Sequence, residues 1–377
     1  MIKVSQGCLG EEELAAVREV FAAGYYGHGP KVLEFEEALK KFLGAPHVVA
    51  VNTGTSALHL AMDALGIGAG DEVVVPSLTY VASFQAIRET GAVPVACEIN
   101  LETLRADLAD MERRITPRTK ALMPVHYAGA ACDMDALLRL AGRHKLRVIE
   151  DAAHAFGGTS RGRRIGSFGD VACFSFDSIK NITCGEGGAI VCRDTELAER
   201  MREKRHLGTH RQENAAAAAK ARGVAFEAVT QGFRYHMSSI NAAIGATQLK
   251  KVERFLTRRR EICRHYDRAL GSRASVRTLP MDYAEAAPHI YVVRVLDGRR
   301  DALMQSLKDA DIETGINYIP NHLHPLFRQK GLVLPATEQA YREILTLPLH
   351  CGLSDADVER VIGTVRSALE QPVRCER

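Results

Sequence analysis

Through its first half the chain repeats one pattern. A short apolar run gives way to a polar turn, then to a stretch whose apolar residues return at helical spacing. The runs at 48–51, 72–75, 93–96, 121–125, 147–150 and 171–174 read as buried strands, and 57–65, 80–89, 107–115 and 133–144 read as helices between them. Strands alternating with helices in this rhythm build a mostly parallel sheet covered by helices on both faces, an α/β fold. In such sheets ligands sit beyond the carboxyl ends of the strands. Thr55, Tyr80, His126, Asp151, Ser175 and Lys180 each follow a predicted strand within a few residues, so the pattern brings them to one edge.

Lys180 is the unusual member. It stands in a polar turn between the apolar runs 171–174 and 189–192. A buried ammonium is costly unless paired or used covalently. Burial also lowers a lysine pKa, which makes a nucleophilic amine near neutral pH. The alternative is an ordinary surface lysine in a loop.

Two glycine-containing turns add to this. Asn52-Thr53-Gly54-Thr55-Ser56 leads a strand into a helix, offering backbone N–H groups and hydroxyls at the positive end of a helix dipole. The plainer reading makes Thr55 or Ser56 an N-cap. Gly24-Tyr25-Tyr26-Gly27-His28-Gly29-Pro30 joins helices at 11–22 and 32–43, and has more glycine and tyrosine than a connection needs; a ligand-facing loop fits it.

Beyond a helix at 197–206, residues 211–231 are poorly patterned and hold the alanine run 215–219, which predicts a long loop. A helix over 239–270 then serves as a spine between a large domain, 1–250, and a smaller α+β domain, 251–377. The latter has elements at 290–296, 300–310, 314–318 and 355–369.

A net charge of +3 without long Lys/Arg runs argues against a nucleic-acid partner. Nine scattered cysteines without a CxxC argue against a metal site or a disulfide framework, and fit a reducing, cytoplasmic compartment. No apolar run approaches the roughly 18 residues of a membrane span, and the start of the chain does not read as a signal peptide.

A lysine, a strand-end carboxylate (Asp151), an aromatic (Tyr80) and an anion cup (Gly54, Thr55, Ser56, Ser175) jointly describe what pyridoxal phosphate needs. These are an amine for its aldehyde, an acid partner for its pyridinium nitrogen, a face for its ring and donors for its phosphate.

On these residues the chain resembles the sugar aminotransferases of the DegT/DnrJ/EryC1/StrS family, of fold type I. The resemblance rests on Asn52-Thr53-Gly54-Thr55-Ser56-Ala57-Leu58, Pro76-Ser77-Leu78-Thr79-Tyr80, Glu150-Asp151-Ala152-Ala153-His154-Ala155, and Ser175-Phe176-Asp177-Ser178-Ile179-Lys180 with Gly185-Glu186-Gly187-Gly188. It implies a seven-stranded sheet and a homodimer with shared active sites. It implies a covalent and proton-shuttling role for Lys180, ring-nitrogen pairing by Asp151, stacking by Tyr80 and a place for His154 near the ring hydroxyl. Gly54, Thr55, Ser56 and Ser175 would hold the phosphate.

Gly232-Phe233-Arg234-Tyr235-His236-Met237 departs from the family's Gly-Tyr-Asn-Tyr-Arg-Met, so Arg234 would bring its charge to a partner's phosphate where Asn is common. Asn317-Tyr318-Ile319-Pro320-Asn321-His322 resembles a substrate-side segment. Tyr25, Tyr26, His28, Tyr318 and His322 are thus candidate substrate residues. The implied reaction moves an amino group from L-glutamate to a nucleotide-linked keto-sugar, with a keto-cyclitol as the alternative acceptor. Dehydratase relatives carry His at the Lys180 position, and a non-catalytic scaffold need not keep Lys180, Asp151 and the cup together.

Overall fold

The computed structural model describes residues 1–211 and 226–370. Its centre is a seven-stranded sheet made of β1 (His47–Val51), β2 (Glu72–Pro76), β3 (Val93–Cys97), β4 (Thr119–Leu122), β5 (Arg147–Asp151), β8 (Val171–Ser175) and β9 (Gly188–Cys192), in the order β1-β9-β8-β5-β4-β2-β3. A short hairpin, β6 (Thr159–Ser160) with β7 (Arg163–Arg164), lies between β5 and β8 in sequence. Only β9 runs against its neighbours, pairing antiparallel with both β1 and β8.

The strands are apolar through most of their length because both faces are covered. In β1, Val49 and Val51 face α3 (Gly54–Ala64), α4 (Val81–Glu89) and α7 (Thr195–Lys204). Val48 and Ala50 alternate to the other face, against α2 (Pro30–Leu43) and a later helix pair, as a period of two requires. Between β3 and β5, α5 (Leu108–Arg113) and α6 (Met134–His144) cover Val74, Leu122 and Val148. Asp133 caps α6 by accepting from Ala136 N–H at 3.1 Å.

α2, β1 and the end of α7 are locked by one buried pair. Glu36 accepts from Ala50 N–H at 2.8 Å and from the Arg205 guanidinium, which also donates to Ala50 O at 2.7 Å. Both side chains are buried. Removing one partner strands the other charge without water. Glu36→Ala is therefore expected to cost about 3–5 kcal/mol of stability, read as a lower urea midpoint; a loss below 1 kcal/mol would mean the pair is solvated.

Three sequence expectations are corrected here. The spine over 239–270 is two helices, α8 (Ser239–Leu249) and α9 (Val252–Leu270). At the break the last turn tightens, with Lys250 N–H on Thr247 O at 3.2 Å and Lys251 N–H on Gln248 O at 2.9 Å. Glu13 of α1 (Glu11–Ala23) takes both Gln248 Nε2, at 2.9 Å, and Lys251 Nζ, at 2.7 Å. Next, the segment at 314–318 is not a strand; it makes a single bridge, Gly315 to Thr346. Finally, the flanks of the predicted loop at 211–231 pair as an antiparallel ribbon, β10 (Thr209–Arg211) with β11 (Phe226–Ala228). The alanine run 215–219 lies outside the described residues.

C-terminal to α9, β12 (Val276–Thr278), β13 (Tyr291–Val295) and β14 (Ile344–Leu347) form an antiparallel sheet. It packs with α9, α10 (Arg300–Asp309) and α11 (Asp355–Glu370) around its own apolar cluster. The segment leading into β13 delivers His289 to the edge of the large sheet.

Candidate active site

β5 and β8 are parallel neighbours, with Asp151 opposite Cys173. Their carboxyl ends therefore set Asp151 beside the turn that carries Lys180. That turn is held by Asp177, whose backbone oxygen accepts from Lys180 N–H at 3.1 Å and whose Oδ1 accepts from Ile179 N–H at 3.2 Å.

Lys180 Nζ contacts His289 Nε2 at 3.3 Å. Burial pulls the ammonium down to about 8, against the pull of Asp177 and Asp151, which favour the charged form. His154 and His289 lie with ring centroids 4.6 Å apart. Burial, with Lys180 adding to it, keeps both well below the ordinary histidine range, so both are neutral. Asp151 is buried; its Oδ2 accepts from Ser83 Oγ at 2.7 Å and its Oδ1 from Ala153 N–H at 3.2 Å. Burial raises its pKa, the two donors and Lys180 opposing.

A lowered lysine pKa has a direct consequence. The amine fraction of Lys180 in the cofactor-free protein rises about tenfold per pH unit below 8 and levels above it. Labelling of Lys180 by an amine-reactive reagent, read by peptide mapping, is expected to follow that curve; a rate still climbing past pH 10 contradicts it.

The other predicted residues divide sharply. His154 Nε2 meets the Tyr318 hydroxyl at 2.8 Å, and the Tyr318 and Tyr80 rings lie 5.5 Å apart. Tyr80 is 57% exposed at the mouth of α4. Gly54 opens α3 so close to Ser175 that a Cβ there would lie 2.7 Å from Ser175 Cβ. That close approach joins the α3 N-terminus to the end of β8. Gly54 and Thr55 N–H, at the first turn, have no intrahelical partner.

Ser56 corrects the expectation of a phosphate hydroxyl. Thr53 is the N-cap, taking Ser56 N–H at 3.0 Å, and Ser56 Oγ closes the capping box on Thr53 N–H while donating to Asn52 Oδ1 at 2.6 Å.

His322 is corrected too. It is buried, with Nδ1 on Ser77 Oγ at 2.7 Å and Nε2 on Glu338 at 3.3 Å, and so pins its loop to the end of β2. His126 likewise is structural: Cys132 N–H donates to its Nδ1 at 3.1 Å, which leaves Nε2–H for Glu150 at 2.9 Å.

Tyr25, Tyr26, His28 and Arg234 are not brought to Lys180. The two tyrosines and Arg234 are exposed. His28 packs edge-on against His206 at 4.5 Å, and His206 stacks on His236 at 4.9 Å. Arg234 makes an isolated antiparallel bridge to His206.

Ser83 and His289 were not singled out from the sequence. Ser83 is one hydroxyl inside an apolar helix, and His289 begins an apolar run 109 residues from Lys180.

The residues present fit pyridoxal phosphate. They supply a neutral-prone amine, a buried carboxylate and a glycine cradle at a helix N-terminus. They also supply a buried imidazole nitrogen, His154 Nδ1, that has no hydrogen-bond partner among the described residues.

Comparison with known proteins decides between this cofactor fold and a chance constellation. A sequence model of the DegT/DnrJ/EryC1/StrS aminotransferase family matches residues 7–366. The chain belongs to this family of aminotransferases. The aminotransferase TlmJ from Streptoalloteichus hindustanus is 40% identical, with a TM-score of 0.91 over 98% of this chain and 99% of its own. S. venezuelae DesV, in complex with a ketimine intermediate, is 37% identical, with a TM-score of 0.88 over 96% and 95%. The sugar aminotransferase Spr1654 from Streptococcus pneumoniae, in its PMP form, is 29% identical, with a TM-score of 0.93 over 98% and 99%. The fold is that of fold type I aminotransferases. The cofactor of this aminotransferase is pyridoxal phosphate.

Proposed function

We propose that this aminotransferase carries the amino group of L-glutamate to a nucleotide-linked keto-sugar, with Lys180 as the covalent and proton-moving residue. The observation that carries the reading is the Lys180 amine, held near neutrality beside Asp151, His154 and His289.

Bound pyridoxal phosphate supplies an electron sink for the carbanion formed at the amino-bearing carbon. Around it the chain's own residues do the following. Lys180 Nζ, half in its free-base form at about pH 8, would take the proton from the donor's α-carbon and pass it on toward the cofactor. Asp151, fixed by Ser83, would set a negative charge against the ring nitrogen. His154 Nδ1, buried and unpartnered among the described residues, would meet the ring's hydroxyl, Tyr80 would cover the ring, and Gly54, Thr55 and Ser175 would hold the phosphate.

Tyr25, Tyr26, His28 and Arg234 then act on the active site of a second copy, which makes the working unit a homodimer; the exposure of Tyr25, Tyr26 and Arg234 supports this. Tyr318, on the acceptor side, orients the sugar through its bond to His154. The chain divides into domains at 1–250 and 251–377, and its buried free thiols suit a reducing cytoplasm. Among the described residues no helix is long and apolar enough to cross a membrane.

The test is a two-step assay. L-Glutamate should bleach the absorption of the loaded enzyme, and a nucleotide-linked keto-sugar should restore it. Restoration by a keto-cyclitol alone would replace the acceptor; no bleaching by L-glutamate would replace the donor.

A further inference from the structure

His289 is a buried titratable group outside the roles given to Lys180, Asp151 and His154. Its Nε2 stands 3.3 Å from Lys180 Nζ, and among the described residues it is the lysine side chain's one hydrogen-bond partner. The ring also lies against His154, with centroids 4.6 Å apart, and its Nδ1 has no hydrogen-bond partner among the described residues.

The backbone that carries His289 is held from three directions. His289 N–H donates to Ala128 O at 3.2 Å, and Ala287 N–H to Gly129 O at 2.9 Å. Gly129 makes this approach possible, because a Cβ there would collide with Ala287 O. From α9, the buried Arg259 donates through one guanidinium nitrogen to His289 O and to Leu349 O, at 3.1 Å each. The third hold comes from the lysine's own neighbour. Asn181 Nδ2 donates to Ala287 O at 3.0 Å and to Phe156 O at 3.3 Å. Lys180 and Asn181, consecutive in one turn, therefore grip the two ends of the short segment 287–289.

A lysine side chain is a flexible stem that ends in rotatable donors. Without a partner its amine would sample several positions, and a reacting group misplaced by about 1 Å can cost on the order of 10² in rate. The direction of the hydrogen bond matters too. Charged or neutral, the Lys180 amine has an N–H to give. A neutral His289 with its proton on Nδ1 accepts that N–H at Nε2 in either state, and leaves the lone pair of the free amine uncovered. The opposite tautomer would cover the lone pair with Nε2–H.

We propose that His289 is the positioning residue of the reaction: its Nε2 accepts from the Lys180 amine, and the backbone held by Ala128, Arg259 and Asn181 sets where that amine stands. The titratable groups linked electrostatically to Lys180 are Asp177 of its own turn, Asp151 at the end of β5, His154 beyond it and His289. An acceptor favours the ammonium over the amine, so His289 opposes the effect of burial. His289 enters the proposed reaction only through Lys180. Labelling of the cofactor-free protein needs neither donor nor acceptor substrate, so a wrong substrate and a wrong role for His289 give different results.

The test is the pH profile of Lys180 labelling by an amine-reactive reagent in the cofactor-free protein, read by peptide mapping. His289→Phe keeps a ring against His154 but has no acceptor. It should lower the midpoint from about 8 by about one pH unit. His289→Leu, smaller and also without an acceptor, should do the same. His289→Gln offers an amide oxygen and should hold the midpoint within about half a unit of wild type. In the loaded enzyme, His289→Phe should lose on the order of 10² in kcat, with KM for the acceptor nearly constant, and His289→Gln should recover part of that loss. Midpoints for the Phe and Leu variants at the wild-type value or above it overturn the proposal. So does a Gln variant that behaves as the Phe variant does, since a residue that only fills space gains nothing from an acceptor.

Discussion

Lys180→Ala is expected to give a folded, cofactor-binding protein that does not turn over. Among the described residues the side chain's one hydrogen-bond partner is His289, at 3.3 Å, and burial already disfavours its charge, so its loss removes little that holds the fold. What goes is the amine that makes the covalent link and moves the proton. Removing a nucleophile that works as part of a unit costs on the order of 10⁶ in kcat, and a loss of that order should appear with an unchanged thermal midpoint. Lys180→Arg should be equally inactive, because a guanidinium stays charged far above pH 8. Turnover within tenfold of wild type in either variant would remove Lys180 from the chemistry.

Asp151→Asn is the second large effect. Asparagine keeps an oxygen to accept from Ser83 in the same buried space but turns its NH2 toward Ala153 N–H, so the change removes the charge together with one acceptor. Without that anion the ring nitrogen has no opposing carboxylate, and the proton removed by Lys180 leaves behind a less stabilised carbanion. Loss of one aimed electrostatic group costs on the order of 10²–10³ in kcat, with KM for the acceptor nearly constant. Ser83→Ala, which frees the carboxylate without discharging it, should fall between wild type and Asp151→Asn. If Asp151→Asn kept its kcat within a factor of about three, against the loss expected above, the pairing would be refuted.

The fold was largely legible because its strands are buried on both faces. A run such as Val48 to Val51 then has no polar position to blur it, and its alternate residues divide between two apolar clusters. The break at Lys250–Lys251 was not, because no glycine or proline marks it. It is set by Glu13, more than two hundred residues earlier, drawing Gln248 and Lys251 together.

The site follows the same division. Asp151 and Lys180 were readable from their places at strand ends. Three hydroxyls in a row of four residues, Thr53, Thr55 and Ser56, could not be ranked by spacing; only the capping geometry assigns Thr53 to the cap and takes Ser56 out of the cup. His322 looked like a ligand residue by its segment's resemblance, and its engagement with Ser77 appears only in three dimensions. His289 had no local signal, since its meaning lies in a contact with a lysine on another sheet's edge.

The most direct measurement is borohydride reduction of the pyridoxal-phosphate-loaded enzyme followed by peptide mapping. Reduction makes the link between cofactor and lysine permanent. The account predicts a pyridoxyl group on Lys180 and on no other lysine. A pyridoxyl group on a different lysine, or a loaded enzyme that reduction leaves unlabelled, would contradict it.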